Sequence, residues 1–157
     1  MKRISTRFLV QAAVIGSLYA ALTLLLAPFS FGYMQVRVSE ALTVLAFFTP
    51  AAVPGLFIGC ILANIIGGFG IIDIVFGSLA TLTAAYLTYK MKNRLLAPLP
   101  PVIINGLIVG YIISFYLDIP LWLGIVSVTA GEAIACYGLG LPLLLLLEKH
   151  KKNLFRI

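Results

Sequence analysis

FLVQAAVIGSLYAALTLLLA, residues Phe8 to Ala27, decides the fold: twenty positions without a charge, preceded by Lys2, Arg3 and Arg7 and closed by Pro28. A helix rises about 1.5 Å per residue, so this run covers the roughly 30 Å of hydrocarbon in a bilayer. A single segment can do that only as a helix, because its backbone N–H and C=O groups must find partners within it. The bases at its start place that end in the cytoplasm, so the helix runs outward. The run is too long for a signal peptide and lacks a convincing cleavage site. It therefore reads as a retained span, with the mature chain starting at Met1.

Working outward from this span, Ile71 to Tyr89 is a second apolar run, broken only by Asp73 and ending on Lys90, Lys92 and Arg94. It runs back to the cytoplasm, so the chain between Pro28 and Gly70 crosses an even number of times. Within that interval Val38–Phe48 and Val53–Ile66 are separated by the break Thr49-Pro50-Ala51-Ala52-Val53-Pro54. Two short crossing helices satisfy the parity, and so does a re-entrant hairpin buried by protein. Crossing is favoured because each half can be extended toward span length. After Ala97-Pro98-Leu99-Pro100-Pro101, Val102–Leu117 runs outward, Asp118-Ile119-Pro120 turns, and Leu121–Leu147 returns. That last run is 27 residues, about 40 Å if straight, and holds Gly131, Gly138, Gly140 and Pro142, so it should tilt or kink. The expected fold is an all-α integral membrane protein with six transmembrane helices and both termini cytoplasmic. They form a single membrane domain, 1–157, with helices near 8–27, 34–49, 52–67, 71–89, 101–117 and 121–147.

Composition agrees. Of the 157 residues, 62% are hydrophobic and 10% charged, with a mean hydropathy of +1.12, far outside the soluble range. The net charge of +6 does not point to nucleic acid. Ten of the eleven bases sit in three clusters beside apolar runs, the third being Lys149, Lys151, Lys152 and Arg156. Those clusters are orientation signals for a multi-pass protein of the cell membrane. Arg37 is the exception. Cys60 and Cys136 lie inside apolar runs without ligand-spaced partners, so neither a metal nor a disulfide is expected, and no cofactor is implied. No phosphate loop ending in Lys-Ser/Thr and no His-Glu-x-x-His pair occurs, and His150 in the basic tail is the only histidine. The chain is not expected to be an enzyme, and ATP hydrolysis would fall to partners.

A charge in hydrocarbon costs at least roughly 2.5 kcal/mol, so retained ones face a cavity or a partner. Glu132 lies about 16 Å along its helix from Leu121, near the midplane. It is either a ligand contact or a carboxylate bonded between helices. Arg37 and Glu40, three apart on one helix face, form a site wall or neutralise each other. Asp73 follows Gly67-Gly68-Phe69-Gly70 and suits a helix start, where the dipole favours a carboxylate. Asn64, Tyr111 and Trp122 offer bonding or stacking in the outer half. Their ordinary roles would be interhelical bonding, core filling and interfacial anchoring. Asn105, nearer the cytoplasmic end, ranks below them. Ala12, Gly16 and Ala20, with Ala13, Ser17 and Ala21 beside them, make a smooth face for close helix packing within the bundle or against another subunit.

Val36-Arg37-Val38-Ser39-Glu40-Ala41-Leu42-Thr43-Val44-Leu45, then Phe47-Phe48-Thr49-Pro50-Ala51-Ala52-Val53-Pro54-Gly55, and Gly131-Glu132-Ala133, resemble the QueT family of queuosine-precursor transporters across nearly the whole chain. The resemblance implies a six-helix substrate-binding S component of an energy-coupling-factor (ECF) importer. Such a subunit captures a 7-deazaguanine base, such as 7-aminomethyl-7-deazaguanine or queuine, from outside. It docks on one transmembrane T component and two ABC ATPases. In S components small residues of the first helix face the T component, which maps onto Ala12, Gly16 and Ala20. A carboxylate can accept two adjacent N–H donors of a guanine-like edge, making Glu132 and Glu40 the acceptor candidates; an ammonium would want a second carboxylate, Asp73 or Glu40. Two other readings stay open: a self-sufficient small secondary transporter, for which no clear repeat is found, and an S component for another vitamin-like ligand.

Overall fold

The computed structural model describes residues 5–30, 36–68 and 70–154. Helix α1 (Thr6–Leu25) opens on Ser5, whose hydroxyl accepts the Phe8 N–H at 3.2 Å, and a one-turn helix, α2 (Ala27–Ser30), follows. A ten-residue 3-10 segment, Val38–Phe47, leads to α3 (Ala52–Ile66). Pro54 is tolerated there because first-turn N–H groups have no helical partner. Gly68, with φ of +74°, turns the chain where a side chain would be strained. The next helix carries a π segment, Asp73–Gly77, before α4 (Ser78–Lys90). Helix α5 (Leu99–Leu117) begins with Pro100 and Pro101 and stops at Asp118, left-handed with φ of 51°. Then α6 (Leu121–Ala133), a second π segment, Ile134–Gly140, and α7 (Leu141–Leu154) form one continuous rod. Pro142 gives no N–H to the preceding turn, and the π segment lies just before it. The described residues are helical or irregular, with no strand among them.

The expected helices are therefore present, with the last one interrupted and the second wound more tightly than an α-helix. The first two positions of the expected helix 34–49 lie outside the described residues. Among the described residues three helices are long and apolar enough to cross a membrane: Thr6–Leu25, Leu99–Leu117 and Leu121–His150. The 3-10 segment rises about 20 Å and α3 about 22 Å. Large apolar side chains such as Leu9, Val14, Leu18, Phe115 and Val126 stay exposed, as lipid-facing surface requires.

Glycine sets the closest contact. A Cβ on Gly16 would lie 2.7 Å from the Gly55 carbonyl oxygen, and one on Gly55 would lie 2.6 Å from that of Ala12. Backbone thus touches backbone between α1 and α3, the approach that small residues permit in membranes. Gly16 and Ala20 are buried and Ala12 is half-buried in this contact, whereas Ala13, Ser17 and Ala21 are exposed. Ala12 and Gly16 of that face are therefore occupied within the bundle by α3. A second close pair joins α5 to α6, where a Cβ on Gly110 would come 2.7 Å from the Ile125 Cα.

The 3-10 segment runs through the middle, against α1, α4 and the second π segment. Its three-residue period eclipses side chains i and i+3, and that line reads Arg37, Glu40, Thr43, Ala46, all buried. Ala41 and Val44 meet Gly140 on another side. At the basic end, Arg94 pairs with Glu148 at 3.0 Å, both exposed, a contact worth little by itself.

Candidate functional site

Buried polar residues gather where the 3-10 segment meets its neighbours. Glu40 and Glu132 are both at most 1% exposed, and Arg37, Asn64 and Asn105 at most 2%. The Tyr19 hydroxyl on α1 donates to Glu40 Oε1, and the Thr81 hydroxyl on α4 lies 3.2 Å from the same oxygen. Asn105 Nδ2 on α5 donates to Glu132 Oε1 at 3.2 Å. The Cys136 thiol lies 3.7 Å from Glu132 Oε2 and 3.6 Å from the Glu40 carbonyl oxygen, tying the two acidic residues together. Arg37 stands within electrostatic range of Glu40, Glu132 and Asp73.

The cluster extends outward through Cys60, whose sulfur faces Thr81 at 3.5 Å and Asn64 at 3.6 Å. Asn64 Nδ2 donates to the Asp73 carbonyl oxygen at 3.0 Å, holding the first π segment against α3. The Asp73 side chain itself is buried beside Asn64, near Gly77. Three acceptor atoms here, Glu40 Oε2, Asn64 Oδ1 and Asn105 Oδ1, are buried and receive no hydrogen bond from the described residues. A buried acceptor without a donor is costly, about 1–3 kcal/mol, and its persistence asks for a reason.

Six of the eight candidates are thereby brought into one region: Arg37, Glu40, Asn64, Asp73, Asn105 and Glu132. Tyr111 and Trp122 are not. Tyr111 is 61% exposed and lines a groove of about 610 Å³ with Ile72, Phe76, Leu107, Ile108, Ile112 and Phe115. That groove offers one hydroxyl to read a ligand by, so the polar cluster is the better candidate. Trp122 opens α6 and is 66% exposed, the posture of an interfacial anchor. Sequence reasoning missed Tyr19, Thr81 and the two thiols. The only signal for Tyr19 was its place on the Gly16, Ala20 and Thr23 face of α1. Among the described residues no group of His, Cys, Asp and Glu could hold a metal ion.

Residues 9–149 match the family described as QueT transporter. The chain belongs to the QueT transporter family. Membership makes it a transporter-family protein rather than an enzyme, and with its apolar helices a multi-pass membrane protein. A curated QueT relative, the "Queuosine precursor transporter QueT" of Lactococcus lactis subsp. cremoris (strain MG1363), is 37% identical over 96 residues. The match covers 60% of this chain and 56% of that relative, so it spans little more than half the relative's length. No solved structure matches the chain. The polar cluster lies wholly inside the QueT match, from Tyr19 to Cys136.

Proposed function

We propose that this chain is the substrate-capturing membrane subunit, the S component, of an ECF importer for a queuosine precursor. The observation that carries the reading is the pair of fully buried carboxylates, Glu40 and Glu132, the second bonded to Asn105 and both within electrostatic range of the buried Arg37, inside an apolar helical bundle. Charges are kept in such surroundings for a ligand or an ion path. The family and the name of the curated relative supply the ligand class, a 7-deazaguanine base such as 7-aminomethyl-7-deazaguanine or queuine. Acceptors suit its N–H-rich edge.

In this reading residues 1–157 form one domain of the cell membrane that crosses six times, with both termini cytoplasmic. Ligand is captured from outside by Glu132, Glu40, Arg37 and Asn105, with Asn64 and Asp73 at the margin. Tyr111 and Trp122 face lipid instead. These residues hold no phosphate loop, so a T component and two ABC ATPases supply the energy. Docking uses the outward small face of α1 at Ala13, Ser17 and Ala21, because Ala12 and Gly16 pack on α3.

The test is equilibrium binding of 7-aminomethyl-7-deazaguanine, its nitrile analogue, queuine and guanine to the purified chain in detergent. Selective binding of a deazaguanine, lost in Glu132→Gln, is the expected result. Its stable co-purification with a T component and two ATPases is expected from the same cells. Folded protein that binds none of these bases would remove the assignment.

A further inference from the structure

Two donors converge on one oxygen of Glu40. Tyr19, buried on α1, donates to Oε1, and the Thr81 hydroxyl on α4 stands 3.2 Å from that atom. Thr81 also lies 3.3 Å from the Gly77 carbonyl oxygen, but its single proton is drawn to a carboxylate over a neutral carbonyl. Held from two helices, the carboxylate has a fixed plane, and Oε2 is the atom left over. It is buried and accepts from no described residue.

Asn105 Oδ1 and Asn64 Oδ1 are in the same state, and their orientations are not interchangeable with the flipped ones. Asn105 Nδ2 gives to a Glu132 carboxylate oxygen, and Asn64 Nδ2 gives to a backbone carbonyl. The Asp73 carbonyl only accepts, and Glu132 does so as a carboxylate, so turning either amide would then set acceptor against acceptor. The atoms without donors are therefore oxygens in all three places, on the 3-10 segment, α3 and α5.

Resting on the proposed function, we infer that the site reads the N–H edge of its ligand through these three oxygens, alongside Glu132 and Arg37, with Tyr19 as the positioning residue that leaves Glu40 Oε2 to the ligand. Glu40 then contributes one oxygen rather than the bidentate fork expected from the sequence. The ligand class that fits presents N–H groups on the facing edges: a base carrying an exocyclic amine beside a ring N–H. A base that turns a carbonyl, a bare ring nitrogen or a C–H to the same atoms leaves buried acceptors unmatched. Sites built to hydrogen-bond a substrate N–H reject analogues lacking it far more strongly than apolar pockets reject a missing methylene.

The experiment compares 7-aminomethyl-7-deazaguanine with its counterpart lacking the 2-amino group, 7-aminomethyl-7-deazahypoxanthine, by titration into the native chain, Glu40→Gln and Tyr19→Phe. The native chain should prefer the amino compound by at least about tenfold. In Glu40→Gln the amide oxygen stays on Tyr19 and Thr81, a donor replaces Oε2, and the preference should fall to within about twofold. In Tyr19→Phe the carboxylate is freed to turn, and the preference should drop severalfold while affinity for the deaminated compound changes little. A merely structural Tyr19 would weaken both ligands alike and keep their ratio. Equal binding by the native chain, or a ratio unchanged in both variants, overturns the inference and leaves the proposed function standing. Failure of the folded native chain to bind either compound overturns the proposed function first and the inference with it.

Discussion

Asn105 and Glu132 form the pair in which single-residue chemistry is most exposed. Asn105→Leu removes the 3.2 Å donor to Glu132 Oε1 and leaves a carboxylate oxygen buried without it, a loss of about 1–3 kcal/mol. A detergent-solubilised variant should melt measurably lower and bind ligand at least about tenfold more weakly. An unchanged melting curve and affinity would take Asn105 out of the site. Tyr111→Ala and Trp122→Ala supply the contrast. Both side chains lie on the outer surface, so their titrations should stay within about twofold of native, since surface changes rarely exceed roughly 0.5 kcal/mol. Glu40, Glu132 and Arg37 were legible as candidates because a charge inside an apolar run is costly and seldom kept without cause. Tyr19 was not, since a phenol in such a run is indistinguishable from filling until its partner across the fold is known. Asn105 ranked low because position along its helix was weighed, while the turn that aims it at Glu132 was invisible.

Elements show a different limit. Spans of twenty apolar residues announce themselves, so α1 and α5 stand nearly where the sequence put them. The three-residue winding of Val38–Phe47 did not announce itself, because Arg37 and Glu40 share a face at a spacing of three in an α-helix and a 3-10 helix alike. What favours the tighter form is visible only in the bundle, where Ala41 and Val44 meet Gly140 on one side and Tyr19 meets Glu40 on another. The small face of α1 was legible, though which neighbour it meets was not. Its energetic weight can be tested directly. In Gly16→Ala the new methyl would sit 2.7 Å from the Gly55 carbonyl oxygen, and backbone on both sides leaves nothing flexible to move. A loss of about 1–3 kcal/mol is expected, read as a lower melting temperature or as aggregation on size exclusion. Ser17→Ala, on the outward face, should melt as the native chain does. The same Ser17 position enlarged to Leu is the informative partner, because it should spare folding yet weaken co-purification with a T component if docking uses that face. Retained complex with Ser17→Leu would move the docking surface off α1.

For the whole molecule the decisive quantity is how often the chain crosses. The rises of the 3-10 segment and α3, about 20 and 22 Å, each fall short of a 30 Å core. Joined end to end through Thr49–Ala51, in the proposed topology they still have to return the chain to the side to which α1 delivered it, so that residues 71–90 can end at the cytoplasmic bases. Both crossing and re-entry meet that condition, and they differ in where Pro50 emerges. Cysteine labelling in intact cells separates them, and the native thiols do not interfere, since Cys60 and Cys136 are buried. Asp118→Cys, in the exposed turn between α5 and α6, should react with a membrane-impermeant maleimide without permeabilisation. Asn93→Cys, among the bases after α4, should react only after it. Those two results fix the orientation on which the six-span proposal rests, and their reversal would place both termini outside. Pro50→Cys then decides the hairpin. Labelling only in permeabilised cells is expected of two crossing helices, because the break would sit at the cytoplasmic surface. Resistance to the reagent on both sides, with the chain folded and ligand still bound, would mean that the 3-10 segment and α3 re-enter and meet inside the bilayer, reducing the crossings to four.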